Sequence, residues 1–311
     1  MSELTGFSKR PAWVSIILIL LTATLGFTII GPLVGVLVSL PFYEGSIIDL
    51  ATNLGDPIAH PEVRLPLIIT QGCATLVGLI LIPYLYLLGI ENTRAIDWVK
   101  GKSVPFIIVG ITTLMVISFM ATNSIVIEWN ANVAFPDFMK KFGEWARETE
   151  KRAEELTKFF TTFTSFGDFL VGIFVIAFLP AIGEELVFRG MLQSEINRLT
   201  GNQHIAIWVA AIIFSAFHIQ FFGFVPRMLL GALFGYLYVW SGNLIIPMIA
   251  HFVNNGFSVL MMYLYQIGVI TTDLESPEAA PWPAVVVFTF IFGFLLLYFK
   301  KYYATHNLQP E

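Results

Sequence analysis

The chain is short of charge. Asp, Glu, Lys and Arg make up only 13% of its 311 residues, whereas a soluble domain of this length carries about a quarter. Its single cysteine, Cys73, lies in an apolar run, which excludes an intramolecular disulfide and any thiolate metal cage. There is no basic stripe, and the net charge of −5 is spread over loops, so nucleic-acid binding has no support. Low-complexity tracts and evident internal repeats are also missing. Against these shortages stands an excess: 56% of the residues are hydrophobic and 15% aromatic, gathered into several runs of about 18 residues or more. Helices with so few polar faces do not build a soluble core. The composition specifies an all-α, polytopic membrane bundle.

Hydropathy predicts about eight spans, near residues 13–40, 65–90, 104–127, 166–191, 204–222, 225–240, 244–267 and 282–299. The first follows Lys9 and Arg10. It is too long for a cleaved signal peptide and no small-residue cleavage site follows it, so it reads as a retained span. The expected organisation is a set of N-terminal spans (1–127), a connector (128–165), a core carrying the ionisable groups (166–267), and a last span with its tail (268–311). In the connector, Phe138, Phe142, Trp145, Leu156, Phe159 and Phe163 recur largely at three- or four-residue spacing among many charges. That pattern predicts an amphipathic helix lying on the membrane surface or over the bundle. Lys9, Arg10, Arg94, Lys100, Lys102, Arg198, Lys300 and Lys301 fall on one side of an eight-span chain, and the acidic loops near 44–62 and 273–278 on the other. By the positive-inside rule both termini are cytoplasmic, in a multi-pass plasma (inner) membrane protein.

The ionisable groups inside the spans carry the chemistry, because charge in hydrocarbon is costly and must face a protein or water-filled interior. Glu184, Glu185 and Arg189 sit together in the fourth span, His218 follows Phe214 in the fifth, and His251 precedes Asn255 in the seventh. Glu185 and Arg189 are four apart and can pair on one helix face; His251 and Asn255 share a face in the same way. Glu184 lies about 17 residues before the turn at Gly201 and His218 about 17 after it. In a straight antiparallel pair both would stand roughly 25 Å from that turn. A glutamate beside a histidine can hold and deprotonate water. A second histidine and an asparagine can donate to a developing oxyanion, and Arg189 would neutralise Glu185. The parts of amide hydrolysis are present without a serine or cysteine nucleophile.

These residues also carry a resemblance. Glu184-Glu185-x-x-x-Arg189, Phe214-x-x-x-His218 and His251-x-x-x-Asn255, in this order on successive spans, look like the three motifs of the CPBP (CAAX protease and bacteriocin-processing, Abi-type) family, over about residues 168–260. The resemblance implies an intramembrane endopeptidase in which Glu184 and His218 activate water and His251 and Asn255 form the oxyanion site. Glu185, Arg189 and Phe214 would support them. The partners it implies are a peptide or membrane-anchored protein substrate, lipidated or not, within the bilayer, with the cut near the cytoplasmic leaflet. No cofactor is expected. Zinc held by Glu184, His218 and His251 stays open as the alternative, although no His-Glu-x-x-His occurs. A non-catalytic scaffold or immunity protein of the same fold is the runner-up. A proton-coupled transporter would lead one to expect paired broken helices, and none is evident.

Overall fold

A computed structural model describes residues 9–98, 103–271 and 278–306; Lys100, Lys102, Asp273 and Glu275 of the orientation argument lie outside them. In hydrocarbon every backbone N–H and C=O must be satisfied within the chain, which leaves helices or closed barrels. The described residues form helices and no strand. Seven helices are long and apolar enough to cross a membrane. They are α1 (Ala12–Phe42), α3 (Pro61–Gly89), α4 (Phe106–Ala131), α6 (Phe166–Thr200), α8 (Phe224–Ser241), α9 (Ile245–Gln266) and α10 (Trp282–His306). The short α2 (Ile47–Asn53) follows α1, and α5 (Lys140–Phe160) is the amphipathic helix of the connector. The fifth expected span is α7 (Gln203–Ala216), only 14 residues long. At 1.5 Å per residue it reaches about 21 Å, short of a bilayer core.

The central element is α6. From Leu179 to Ile196 every residue except Ile182 and Glu184 is buried, enclosed by α1, α3, α7, α8 and α9. Its course is not a uniform α-helix: Ile173–Phe178 and Leu186–Gln193 are wound as π-helix, one segment on each side of the acidic pair. Outside this core, α1 and α3 cross closely. Gly26, Gly31 and Gly35 of α1 meet Gly78, Ala74 and Thr70 of α3, the small-residue contact that lets backbones approach where lipid offers no hydrophobic drive.

Contacts at the two ends define the bundle's polarity. At one end Arg198 donates to the Arg10 carbonyl (2.7 Å), Arg10 faces Glu91 (3.8 Å), and the Lys300 ammonium lies 5.7 Å from the centre of the Trp240 ring. Arg10, Arg198 and Lys300 therefore lie at the same end of the bundle. At the other end Arg64 donates to the Phe159 carbonyl (3.1 Å) and the Thr162 carbonyl, and Gln266 to the Thr161 carbonyl (2.6 Å). These bonds place α5 at that second end, where Phe142 also meets Phe221 of the α7–α8 corner (5.7 Å between ring centres).

The α1–α3 contact generates a stability prediction. A Cβ at Gly78 would stand 2.4 Å from the Phe27 nitrogen, whereas one at Gly110 would meet nothing within 4 Å. Gly78→Val should cost about 2 kcal/mol or more through forced separation of the helices. Gly110→Ala should be neutral. Unfolding in detergent followed by circular dichroism compares the two, and equal stabilities would show that the crossing does not matter.

Candidate active site

The local winding of α6 aims its charges inward. Pro180 has no N–H to give the Ile176 carbonyl its α-helical bond. Asn255 of α9 supplies the donor instead, with Nδ2 3.1 Å from that oxygen. The side chain thus joins α9 to α6 about two turns before the acidic pair. Asn254 donates to Asn255 Oδ1 (3.0 Å), so Asn255 keeps one N–H uncommitted.

Glu185 is fully buried and is the hub of the site. Its Oε1 accepts from Arg189 Nη1 at 2.6 Å and from His251 Nδ1 at 2.7 Å. Arg189 also donates to the Gly231 carbonyl (3.1 Å), and its guanidinium stacks over Phe214 (4.5 Å) and Phe234 (5.4 Å). One turn on, Gln193 donates to the Gly235 carbonyl (3.3 Å). A buried cation with its hydrogen bonds and aromatic faces filled tolerates desolvation far better than a bare one. His251 is stacked against Phe234, with ring centres 5.4 Å apart. Because a carboxylate only accepts, Nδ1 carries the proton shared with Glu185. Its other nitrogen, Nε2, faces Glu184 Oε2 at 3.8 Å. That separation is too long for a direct hydrogen bond.

His218 lies past the end of α7. Its Nδ1 donates to the Phe214 carbonyl at 3.0 Å, which leaves Nε2 as the acceptor in the neutral ring. Ile219 beside it has φ +54, a left-handed conformation that costs a β-branched residue about 1–3 kcal/mol and is met mostly at functional sites. Among the described residues His218 makes no hydrogen bond to Glu184. The height argument took α7 as a straight, full-length span, but α7 stops at Ala216 and the chain turns. The two imidazoles instead flank one phenyl ring: Phe214 is 5.1 Å from His218 and 6.2 Å from His251 between centres.

Three functional candidates escaped the sequence reading. Arg227, Gln220 and Glu150 line or border a cavity of about 680 Å³ that runs between α4, α5, α8 and α9. The signal for Arg227 was available, since a lone arginine inside an apolar span is by itself a flag for function. Gln220 and Glu150 carried no comparable mark. As for metal, no group of three or more His, Cys, Asp or Glu among the described residues could hold an ion. Both imidazoles keep Nε2, the nitrogen a metal would take, unprotonated, but Glu184, His218 and His251 do not gather as a three-ligand set, and no step is derived through a metal.

With this geometry in hand, the comparisons with known proteins fall on the same stretch. Residues 166–257 match the family model described as type II CAAX prenyl endopeptidase Rce1-like. The matched segment contains all three motifs and thereby bears out the resemblance. Over 85 residues the chain is 36% identical to the uncharacterized protein YpbD of Bacillus subtilis (strain 168), covering 26% of this chain and 40% of that protein. Over 98 residues it is 34% identical to the membrane-embedded CAAX protease MroQ of Staphylococcus aureus (strain USA300), covering 30% of this chain and 39% of that protein. The chain thus spans about two fifths of the length of the curated relatives it matches. No solved structure matches.

The Glu185–Arg189 pair yields a prediction of its own. Arg189→Met strands a buried carboxylate and should cost about 3–5 kcal/mol. Adding Glu185→Leu should recover much of that loss, since the uncompensated charge is then gone. Thermal unfolding of the single and double variants is the measurement; a double variant no more stable than the single one would remove the electrostatic account.

Proposed function

We propose that this protein is a membrane-embedded endopeptidase that hydrolyses a peptide bond with water activated by Glu184. One observation carries the reading: His251 is shared between two adjacent carboxylates, held by Glu185 through Nδ1 and turned by its Nε2 toward Glu184. With Nδ1 protonated, a neutral His251 presents a lone pair to the Glu184 oxygens. Two acceptors 3.8 Å apart are reconciled by a donor between them, and a single water has the size and the protons for it. Glu184 takes a proton from that water as the hydroxide adds to the carbonyl carbon. The oxyanion is met by donors, for which the second N–H of Asn255 is available. Return of the proton to the leaving nitrogen breaks the C–N bond, and His218 Nε2 is the further group able to carry it. This chemistry uses no metal.

The substrate is a peptide or membrane-anchored protein reaching the site from the bilayer or from the α5 end. The match to the CAAX endopeptidase model and to MroQ supports a membrane protease; lipidation of the substrate is part of the proposal. If Arg10, Arg198 and Lys300 mark the cytoplasmic end, the cavity beneath α5 opens at the outer face. On that orientation the cut falls on the α5 side of the bilayer.

Two experiments test this reading. Glu184→Gln should lower cleavage of membrane peptides by about 10²–10⁴-fold, with folding and chelator sensitivity unchanged, as followed by mass spectrometry of membranes with and without the protein. Full cleavage by the variant, or an unfailing complementation by it, would turn the assignment toward a scaffold. For orientation, Cys73 is replaced by serine and single cysteines are introduced. A membrane-impermeant maleimide on intact cells should label Lys140→Cys and spare Thr305→Cys; the opposite pattern inverts the topology.

A further inference from the structure

The cavity beneath α5 contains a charged pair that does not pair. Arg227 of α8 and Glu150 of α5 both line it, yet a neutral amide is placed between them. Arg227 Nη2 donates to Gln220 Oε1 at 2.8 Å, and Gln220 Nε2 donates to Glu150 Oε1 at 3.2 Å. One arm of each charged group is left over. Arg227 Nη1 and Glu150 Oε2 are buried and have no hydrogen-bond partner among the described residues. Each such orphan has lost its water without a replacement, a cost that is greater for a charged group. A purely structural ion pair would close on itself. The other charges on this face of α5 are spoken for: Lys151 pairs with Glu155 (3.9 Å), Glu154 with Lys158 (3.4 Å), and Arg147 lies over Phe222 (5.1 Å).

The position matters as much as the chemistry. Arg189 bonds the Gly231 carbonyl and Gln193 the Gly235 carbonyl, a constant offset between α6 and α8. Carried one turn back, that offset sets Arg227 level with Glu185. Its charge interacts with both Glu150 and Glu184. The cavity wall also includes Asn254, beside the Asn255 that bonds the Ile176 carbonyl inside α6. Its volume of about 680 Å³ lies within the range of ligand sites, roughly 300–1,000 Å³.

We infer that Arg227 and Glu150, spaced by Gln220, form a subsite that grips the main chain of the peptide to be cut, Arg227 donating to a carbonyl and Glu150 accepting from an amide N–H. An extended chain presents a C=O and an N–H of one residue on the same edge. One donor and one acceptor on the cavity wall are the complement of that edge. Such a grip reads no side chain and fixes the chain in the extended form that exposes a bond to Glu184. Burial pushes the Glu150 carboxyl up from its ordinary range, with the Arg227 charge, the Phe222 backbone N–H and the Gln220 amide pulling the other way; a further donated N–H relieves that cost. The inference rests on the endopeptidase reading for its purpose, but not for its binding chemistry.

The test is therefore a binding measurement. The full chain carrying Glu184→Gln is placed in phosphatidylcholine nanodiscs. The probe is a pool of N-acetylated, C-amidated octapeptides of Ala, Leu, Ser and Gln, alongside the same pool with its amides N-methylated. The unmodified pool should bind at least tenfold more tightly. Arg227→Met and Glu150→Ala should each reduce that ratio below threefold, with Arg227→Lys between. Gln220→Leu should do the same while keeping both charges, because they are then free to close on each other; it serves where a charge variant does not fold. A ratio that survives in these variants overturns the grip, and so does a pool that fails to bind. Binding confined to peptides with a free carboxylate would make Arg227 an anion site and overturn it equally. Variants that lose only thermal stability would leave Gln220 as a mere tether of α5. Hydrolysis is scored separately with the Glu184 protein: binding without cleavage sinks the endopeptidase, and cleavage without N-methyl discrimination sinks the grip alone.

Discussion

Everything near the site depends on how one buried carboxylate is neutralised. Glu185 sits in the middle of a membrane bundle, where an isolated charge would be untenable. Its oxygen takes a guanidinium from its own helix and an imidazole from α9. That double use ties together three requirements that could conflict. Arg189 must be desolvated, and Phe214 and Phe234 cover it. His251 must keep one tautomer, and Glu185 fixes it. Glu184 must stay apart from this exchange, and it alone of the acidic pair keeps partial access to space, its side chain being 17% exposed against 0% for Glu185. Two neighbouring glutamates therefore live in different environments, the condition under which one fold assigns them different roles.

Winding makes that division possible. Glu184 and Glu185 lie on the α-helical stretch Leu179–Glu185, where successive residues are turned about 100° from each other and so meet different neighbours. The π segments on either side of them change the phase of α6, and Pro180 opens the backbone where Asn255 can enter. π-turns of this kind recur at functional sites, and the first is accompanied by Pro180 and by the Asn255 bond to the Ile176 carbonyl. The fold spends regularity to gain placement.

How much of this was legible in the sequence follows from which contacts are local. The all-α membrane class came from composition, and the Glu185–Arg189 contact from a four-residue spacing. The amphipathic character of residues 140–160 was likewise periodic. What could not be read were contacts set by helix phase and length. His251 bonds Glu185 across 66 positions of chain, and no spacing rule reaches that far. The expected meeting of Glu184 with His218 assumed unbroken helices; α7 ends early and α6 is underwound. Asn255 was read for the oxyanion, whereas its first commitment is to a carbonyl freed by a proline. Arg227 was overlooked among apolar neighbours although its charge was in plain view.

The paired bonds from Arg189 to Gly231 and from Gln193 to Gly235 have a mechanical consequence. They fix α6 and α8 in parallel at a single axial register, like two teeth of a ratchet. Sliding one helix past the other would break both bonds inside a desolvated interface. Shear along this contact is therefore closed to the protein. Relative movement is left to the parts outside the ratchet, among them α5 and the corner between α7 and α8, where Ile219 holds a left-handed conformation.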